Sequence, residues 1–277
     1  MAAPFKPKQV LTLSADDIAE MQGDGSQQVI RQALKLIPPL TSTSVLHDSA
    51  CGAGAVTETI MDANPPSGIK IHATDLNPTF VAGTKNLAQE KSWNNVETAT
   101  MDARKLEFPD NTFDLSVTAF MFHCMSGGDK AATEICRTLK PGGTALVTIW
   151  KEMPHVPAIL AAHYKTRPTS TPLPALLHEE PFTEVDLFDL LRSGGFEKIE
   201  THEVVADIRI GELERWAKLA WSYLGRLPGE PEWLKRDEEK WDEAVSTIID
   251  EMNNTAEKDA EGALHMRFVA TVVVARK

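Results

Sequence analysis

Apolar and polar positions in this chain follow two periods that take turns. Short apolar runs with polar or glycine-rich ends predict buried strands near 44–48, 69–74, 96–100, 114–119 and 143–150. Between them, apolar residues at helical spacing predict helices over 54–63, 78–91 and 129–139. This βαβ alternation predicts an α/β fold with a doubly wound, mostly parallel sheet. Upstream, "SADDIAEM" opens on Ser14 as a helix cap, and "SQQVIRQALKLI" aligns Val29, Ile30, Ala33, Leu34 and Ile37 before Pro38 and Pro39 end the helical pattern. After Trp150 the rhythm breaks into "RPTSTPLP", an irregular connection. A helix resumes at "TEVDLFDLLRSGGF", with Thr183 as cap and Gly194 and Gly195 as stop. A strand over 197–210, a Trp-rich helical insertion over 211–257 and a last strand, "LHMRFVATVVVARK", follow. The expected organisation is one domain over 1–277: a helical cap 1–43, a core 44–150, and cap insertions with the last strands over 151–277.

Composition narrows the partners. With 277 residues and 42% apolar content the chain can bury a full core with room for a seven-stranded sheet. The formal charge is -12, and no basic cluster exceeds short pieces such as "WLKRDEEK", so a nucleic-acid partner is not expected. A small, neutral or weakly polar substrate fits better. Cys51, Cys124 and Cys136 have neither metal-ligand nor disulfide spacing, which predicts no metal and a reducing, cytoplasmic location. Residues 1–13 lack the apolar core of a signal peptide, and no run approaches the ~18 apolar residues of a membrane span.

The candidate chemistry sits in "SVLHDSACGAGAVTETI", where an acid, Asp48, precedes small residues at alternate positions, Ala50, Gly52 and Gly54, as a strand meets a helix. Glycine there lets a ligand approach the backbone, and amides at a helix start offer donors. That pattern points to a nucleotide-like cofactor. The spacing is not the GxGxxG of dinucleotide-binding folds. It resembles the acidic-x-Gly-x-Gly-x-Gly motif of class I S-adenosylmethionine-dependent methyltransferases, with Ala50 at the first glycine, a departure expected to limit φ at that turn. Three further blocks resemble the same family in order: "IKIHATDLNPTFV" ending its strand at Asp75, "ATMDARKLEFPDNTFDLSV" with Asp102, and "CRTLKPGGTALVTIW".

The resemblance covers roughly residues 44–150 and implies a Rossmann-like methyltransferase fold with S-adenosyl-L-methionine as cofactor. It implies cofactor contacts from Asp48, Ser49, Ala50, Cys51, Gly52, Gly54, Asp75, Leu76, Asp102, Ala103 and Ala119, with Asp75 on the ribose hydroxyls and Asp102 on the adenine amino group. Methyl transfer from a sulfonium is an in-line displacement that needs alignment and exclusion of water. His123, in "TAFMFHCM" after the fourth strand, is the candidate base, its ordinary pKa of about 6.5 suiting proton transfer at neutral pH; it suits a pocket wall equally well. Phe122, Trp150 and His155 are candidates for the acceptor pocket. In the Trp-rich insertion Trp216, Leu219, Ala220, Tyr223 and Leu224 lie at helical spacing, as a core face does. Where that face opens, Trp221 and Tyr223 would hold a flat apolar substrate.

"DSACGAG" with "AFMFHCM" and "IWKEMPHVPAI" is also similar to fungal methyltransferases of secondary metabolism, which implies an oxygen or sulfur acceptor on a small natural product. Two alternatives remain open: a methyltransferase-like protein that binds the cofactor in a regulatory or non-methylating role, and a nicotinamide oxidoreductase, for which Asp75 is equally suitable and the missing GxGxxG unsuitable.

Overall fold

The computed structural model describes residues 5–177 and 182–277. Helices α1 (Ala15–Gln22) and α2 (Gly25–Ala33) precede β1 (Val45–Ser49), α3 (Ala55–Asp62), β2 (Lys70–Asp75), α4 (Pro78–Glu90), β3 (Val96–Thr100), β4 (Phe113–Ala119), α5 (Gly128–Thr138) and β5 (Leu139–Glu152). Then come α6 (Val156–Thr166), α7 (Glu184–Ser193), β6 (Lys198–Ile210), α8 (Leu213–Leu224), α9 (Lys235–Glu239), α10 (Trp241–Thr255), β7 (Glu257–Lys258) and β8 (Leu264–Arg276). The sheet order is β3-β2-β1-β4-β5-β8-β6, with the two-residue β7 paired antiparallel to β8, which makes an eighth strand beside the seven expected. β1 pairs parallel with β2 and β4, β2 with β3, and β4 with β5. At the start of β5, Gly142 N–H donates to Lys277 O and Lys277 N–H donates to Gly143 O, so that end meets the end of β8 as antiparallel strands do.

The strand order reverses between β1 and β4. In open parallel sheets such a switch point leaves a crevice at the carboxyl ends of the strands, because the crossovers on its two sides lead to opposite faces. The Asp48–Gly54 joint leaves β1 at that end.

Two compact units emerge. One comprises Met1–Gly25, Glu152–Pro181 and Asp207–Phe268; the other comprises Ser26–Lys151, Phe182–Ala206 and Val269–Lys277. The first 43 residues are therefore divided, with most of α2 grouped with the sheet strands rather than with α1. Val29, Ile30 and Ala33 of α2 are fully buried, and Gln32 Nε2 donates to Val205 O at 2.9 Å. In the sheet unit, Phe113, Leu139, Ala145, Val147 and Ile149 pack with Ile135, Leu187, Leu191 and Phe196 in one buried cluster. These strand residues are apolar in near-continuous runs because helices cover both faces of a parallel sheet.

In the other unit, Trp216 Nε1 donates to Met21 O at 3.0 Å, tying α8 to α1. Arg167 and Asp237 form a bidentate pair with side chains 0% and 1% exposed. The guanidinium lies 4.8 Å from the Trp221 ring centroid and 5.6 Å from that of Trp233. Helix α6 ends just before the irregular connection expected at "RPTSTPLP", residues 167–174, where neither helix nor strand forms. Its Pro157 lies in the first turn, where the absent N–H costs no hydrogen bond. Among the described residues no helix is long and apolar enough to cross a membrane.

Candidate functional site

β1 ends in a tight joint held by three successive left-handed or near-left-handed turns: φ is +57° at Ala50, +53° at Gly52 and +95° at Gly54. Ala50 therefore adopts the conformation that the alanine was expected to restrict. The cost is about 1 to 2 kcal/mol for a residue with a Cβ, and the surroundings supply the compensation: Cys51 N–H donates to Thr74 O at 2.9 Å and Gly54 N–H to Cys51 O at 2.9 Å. A Cβ on Gly54 would press on Thr84 and Leu87 of α4 at 3.2 to 3.3 Å. A Cβ on Gly52 would meet no atom within 4 Å, so the space in front of Gly52 is open to a ligand.

Two acids frame this joint. Asp48 is 1% exposed; its Oδ2 accepts from Thr57 N–H at 3.1 Å and Thr57 Oγ1–H at 2.6 Å, which satisfies a free amide in the first turn of α3. Its Oδ1 is buried without a hydrogen-bond partner. Burial pushes the Asp48 pKa up to about 6, against the pull of the Thr57 bonds. An orphaned carboxylate oxygen of this kind is costly alone and fits a cationic or N–H-bearing ligand. Asp75, at the end of β2, accepts from Gly52 N–H at 3.0 Å through Oδ2 and from Asn77 N–H at 2.8 Å through Oδ1, so it also shapes the glycine turn. Leu76 beside it is 61% exposed, an apolar surface at the rim.

Asp102 is engaged differently from the adenine contact implied above. Its Oδ1 accepts from Arg104 N–H and Nε–H, each at 2.9 Å, and its Oδ2 accepts from Nη2–H at 2.7 Å. Hydrogen bonds from the Arg104 side chain hold its carboxyl below the usual range. A ligand amino group there shares the carboxylate with Arg104. Cys51 is buried with its thiol pushed up to about 12 by desolvation, which makes it packing rather than nucleophile. Ser49 is fully buried and its hydroxyl has no partner; Ala103 packs against the cluster around Phe113, and Ala119 ends β4 half-buried.

Beyond β4, His123 lies half-buried in a 3-10 turn, Phe122–Cys124. Phe122 is 1% exposed within the core cluster, so the structure gives it packing rather than the acceptor contact expected of it. Trp150 stacks on Phe120, centroids 4.1 Å apart and planes 12° apart. Sequence reasoning missed Phe120 and Arg104: no periodicity marks a left-handed phenylalanine, whereas the Asp-x-Arg spacing at 102–104 was a readable sign of a local ion pair.

The remaining candidates belong to the other unit. The His155 ring packs on Trp216 and Phe268, and desolvation lowers its pKa to about 4. Trp221 is 1% exposed beneath Arg167, so the expected substrate contact is replaced by core packing. Tyr223 lines a cavity of about 540 Å³ with Leu11, Leu13, Arg226 and Trp233. Among the described residues no group of three or more His, Cys, Asp or Glu is placed to hold a metal ion.

Known proteins are similar to this chain in the segment that carries the joint. Residues 47–147 match the family model described as a methyltransferase domain. The methyltransferase tpcH of Aspergillus fumigatus is 31% identical over 110 residues, 39% of this chain and 39% of that protein. The ubiquinone/menaquinone biosynthesis C-methyltransferase UbiE of Hydrogenovibrio crunogenus is 35% identical over 105 residues, 38% of this chain and 41% of that protein. The chain thus aligns with only about two fifths of the length of these relatives. In fold, it is similar to the YcgJ protein of Bacillus subtilis, with a TM-score of 0.57 at 17% identity, covering 90% of this chain and 97% of that one.

Proposed function

We propose, with the methyltransferase-domain match over residues 47–147 as premise, that this protein transfers a methyl group from S-adenosyl-L-methionine to an oxygen or sulfur of a small natural product. The observation that carries the reading is the joint after β1: an open space in front of Gly52, the orphaned Oδ1 of Asp48 at the end of β1 and the Asp75 carboxylate at the end of β2. When bound, the sulfonium supplies an already activated methyl group. Asp48 Oδ1 offers a buried acceptor to the amino group of the methionine part. Asp75, held by the Gly52 and Asn77 amides, presents its remaining lone pairs to the ribose hydroxyls, and Leu76 offers apolar cover. Asp102, paired with Arg104, is the polar group this reading assigns to the base.

His123 holds or moves the acceptor proton. An aliphatic alcohol needs this help, whereas a thiol or carboxylate is ionised with little assistance. A relative named for carbon methylation is 35% identical over 105 residues, so that likeness does not favour oxygen or sulfur.

Titration calorimetry with S-adenosyl-L-methionine, followed by incubation with a metabolite extract and methyl-labelled cofactor, tests the reading. Expected are binding in wild type, binding weakened by about 1 to 3 kcal/mol in Asp75→Ala through loss of charge-assisted hydrogen bonds, and label in an extract metabolite. No binding in wild type overturns the proposal; binding without label transfer to any extract component favours the non-methylating alternative.

A further inference from the structure

Phe120 and Trp150 stack at the carboxyl ends of β4 and β5, with centroids 4.1 Å apart and planes 12° apart. Strand register alone does not produce this stack. Ala119 is level with Thr148, so an extended continuation would set Phe120 level with Ile149 and Met121 level with Trp150. Successive strand residues point to opposite faces, and Phe120 and Trp150 would then lie on opposite sides of the sheet. The φ of +53° at Phe120 breaks that alternation and turns the ring onto Trp150, while its N–H still donates to Thr148 O at 2.9 Å.

A bulky residue in the left-handed region is a true outlier, and such strain collects at ligand sites. The surroundings here are not those of a core pair: both rings are half-buried, whereas Phe122, two residues on, is sealed in the core cluster. The stack stands at the carboxyl edge of the sheet, the edge from which β1 enters the Asp48–Gly54 joint, and Phe120 lies on the same β4-to-α5 connection as His123.

We infer that the Phe120–Trp150 stack is the platform on which the methyl acceptor lies, and that it selects planar, conjugated ring systems over saturated ones of equal size. A partly buried pair of parallel rings offers π surface along its exposed part, which gains offset stacking with another flat ring and only area burial with a puckered one. Phe120 acts as a specificity-determining residue, and its left-handed backbone keeps the two rings in register. This inference rests on the proposed methyl-transfer reading for its meaning, though its measurement does not.

Calorimetry of 2-naphthol and decahydro-2-naphthol against the full chain, with S-adenosylhomocysteine present and absent, tests it. The saturated alcohol is at least as apolar, so a preference for the naphthol reads planarity rather than hydrophobicity. Wild type is expected to favour 2-naphthol, and Phe120→Leu and Trp150→Leu to reduce that preference by about three- to tenfold, the range of one aromatic pair. Trp150→Phe should retain it. Phe120→Gly keeps the left-handed turn without strain and removes only the ring, so it should lose the preference with the fold intact. Equal binding of the two alcohols by wild type, or an undiminished preference in Phe120→Gly, overturns the platform. Failure of S-adenosyl-L-methionine to bind wild type overturns the proposed function instead, and the naphthol comparison then still decides the platform by itself.

Discussion

At the scale of single residues, the site is governed by one buried carboxyl. Asp48 binds its proton more tightly folded than unfolded, with its pKa raised from 3.8 to about 6. An acid raised in this way contributes stability below its unfolded pKa and loses it as pH rises through the folded value, at most about 3 kcal/mol here. Asp48→Asn keeps an oxygen for the two Thr57 bonds and removes the buried charge. Thermal melts of the ligand-free protein should therefore show stabilisation by the variant at pH 7.5 and little change at pH 4, while calorimetry shows cofactor binding weakened at least tenfold. A variant destabilised at pH 7.5 would assign the carboxylate a partner that this geometry lacks.

His123 is tested by turnover against pH once an acceptor is known. If it is the base, His123→Ala and His123→Asn both lower turnover by about a hundredfold and both lose the acid-side fall of the wild-type profile. A profile shared by wild type and His123→Asn leaves His123 as pocket wall.

At the scale of elements, capping decides where helices begin. Thr183 accepts from Asp186 N–H at 3.3 Å, and the Asp186 carboxylate accepts from Thr183 N–H at 2.7 Å, a reciprocal box that starts α7. Bonds from the Thr183 side chain and backbone hold the Asp186 carboxyl below its usual range. Thr183→Ala should cost about 1 kcal/mol, read as faster amide exchange in the first turn of α7 and a small drop in melting temperature. Both Thr183 and Ser14 are visible as caps in the sequence because a cap is a local arrangement, set within three or four residues. Helix α6 carries a local signal of the same kind, Pro157 in its first turn, where proline favours a helix start, and it ends where "RPTSTPLP" begins.

Over the whole molecule, buried histidines set the response to acid. His47 is fully buried, with its ring stacked on Phe113 at 4.8 Å and Nε2 2.9 Å from Thr74 Oγ1. Desolvation lowers its pKa from 6.5 to about 3. A lowered histidine contributes its full stability above the unfolded pKa and loses it as pH falls toward the folded one, about 3 kcal/mol between pH 6.5 and 4. His72, His155 and His163 are also lowered, chiefly by burial. Asp48 acts in the opposite sense over the same window, one group against four. Melting temperature should therefore fall on acidification below pH 6.5, and His47→Phe, which keeps the stack on Phe113, should make that fall shallower. An equal slope in the variant would place the acid sensitivity elsewhere.

The sequence by itself determined the alternation of strands and helices from β1 to β5, the glycine joint after β1 and the acids at 48 and 75. These are encoded in periodicity and in short-range chemistry: a strand buried on both faces must be apolar, and a chain that turns sharply toward a ligand must be small there. Only the tertiary structure decided what each candidate touches. It sealed Phe122 and Trp221 in packed cores, left Asp48 Oδ1 without a partner and turned Phe120 onto Trp150. Each outcome depends on residues brought together by strand register or by a backbone angle, and side-chain type along the chain does not record which neighbours a fold will bring within 4 Å.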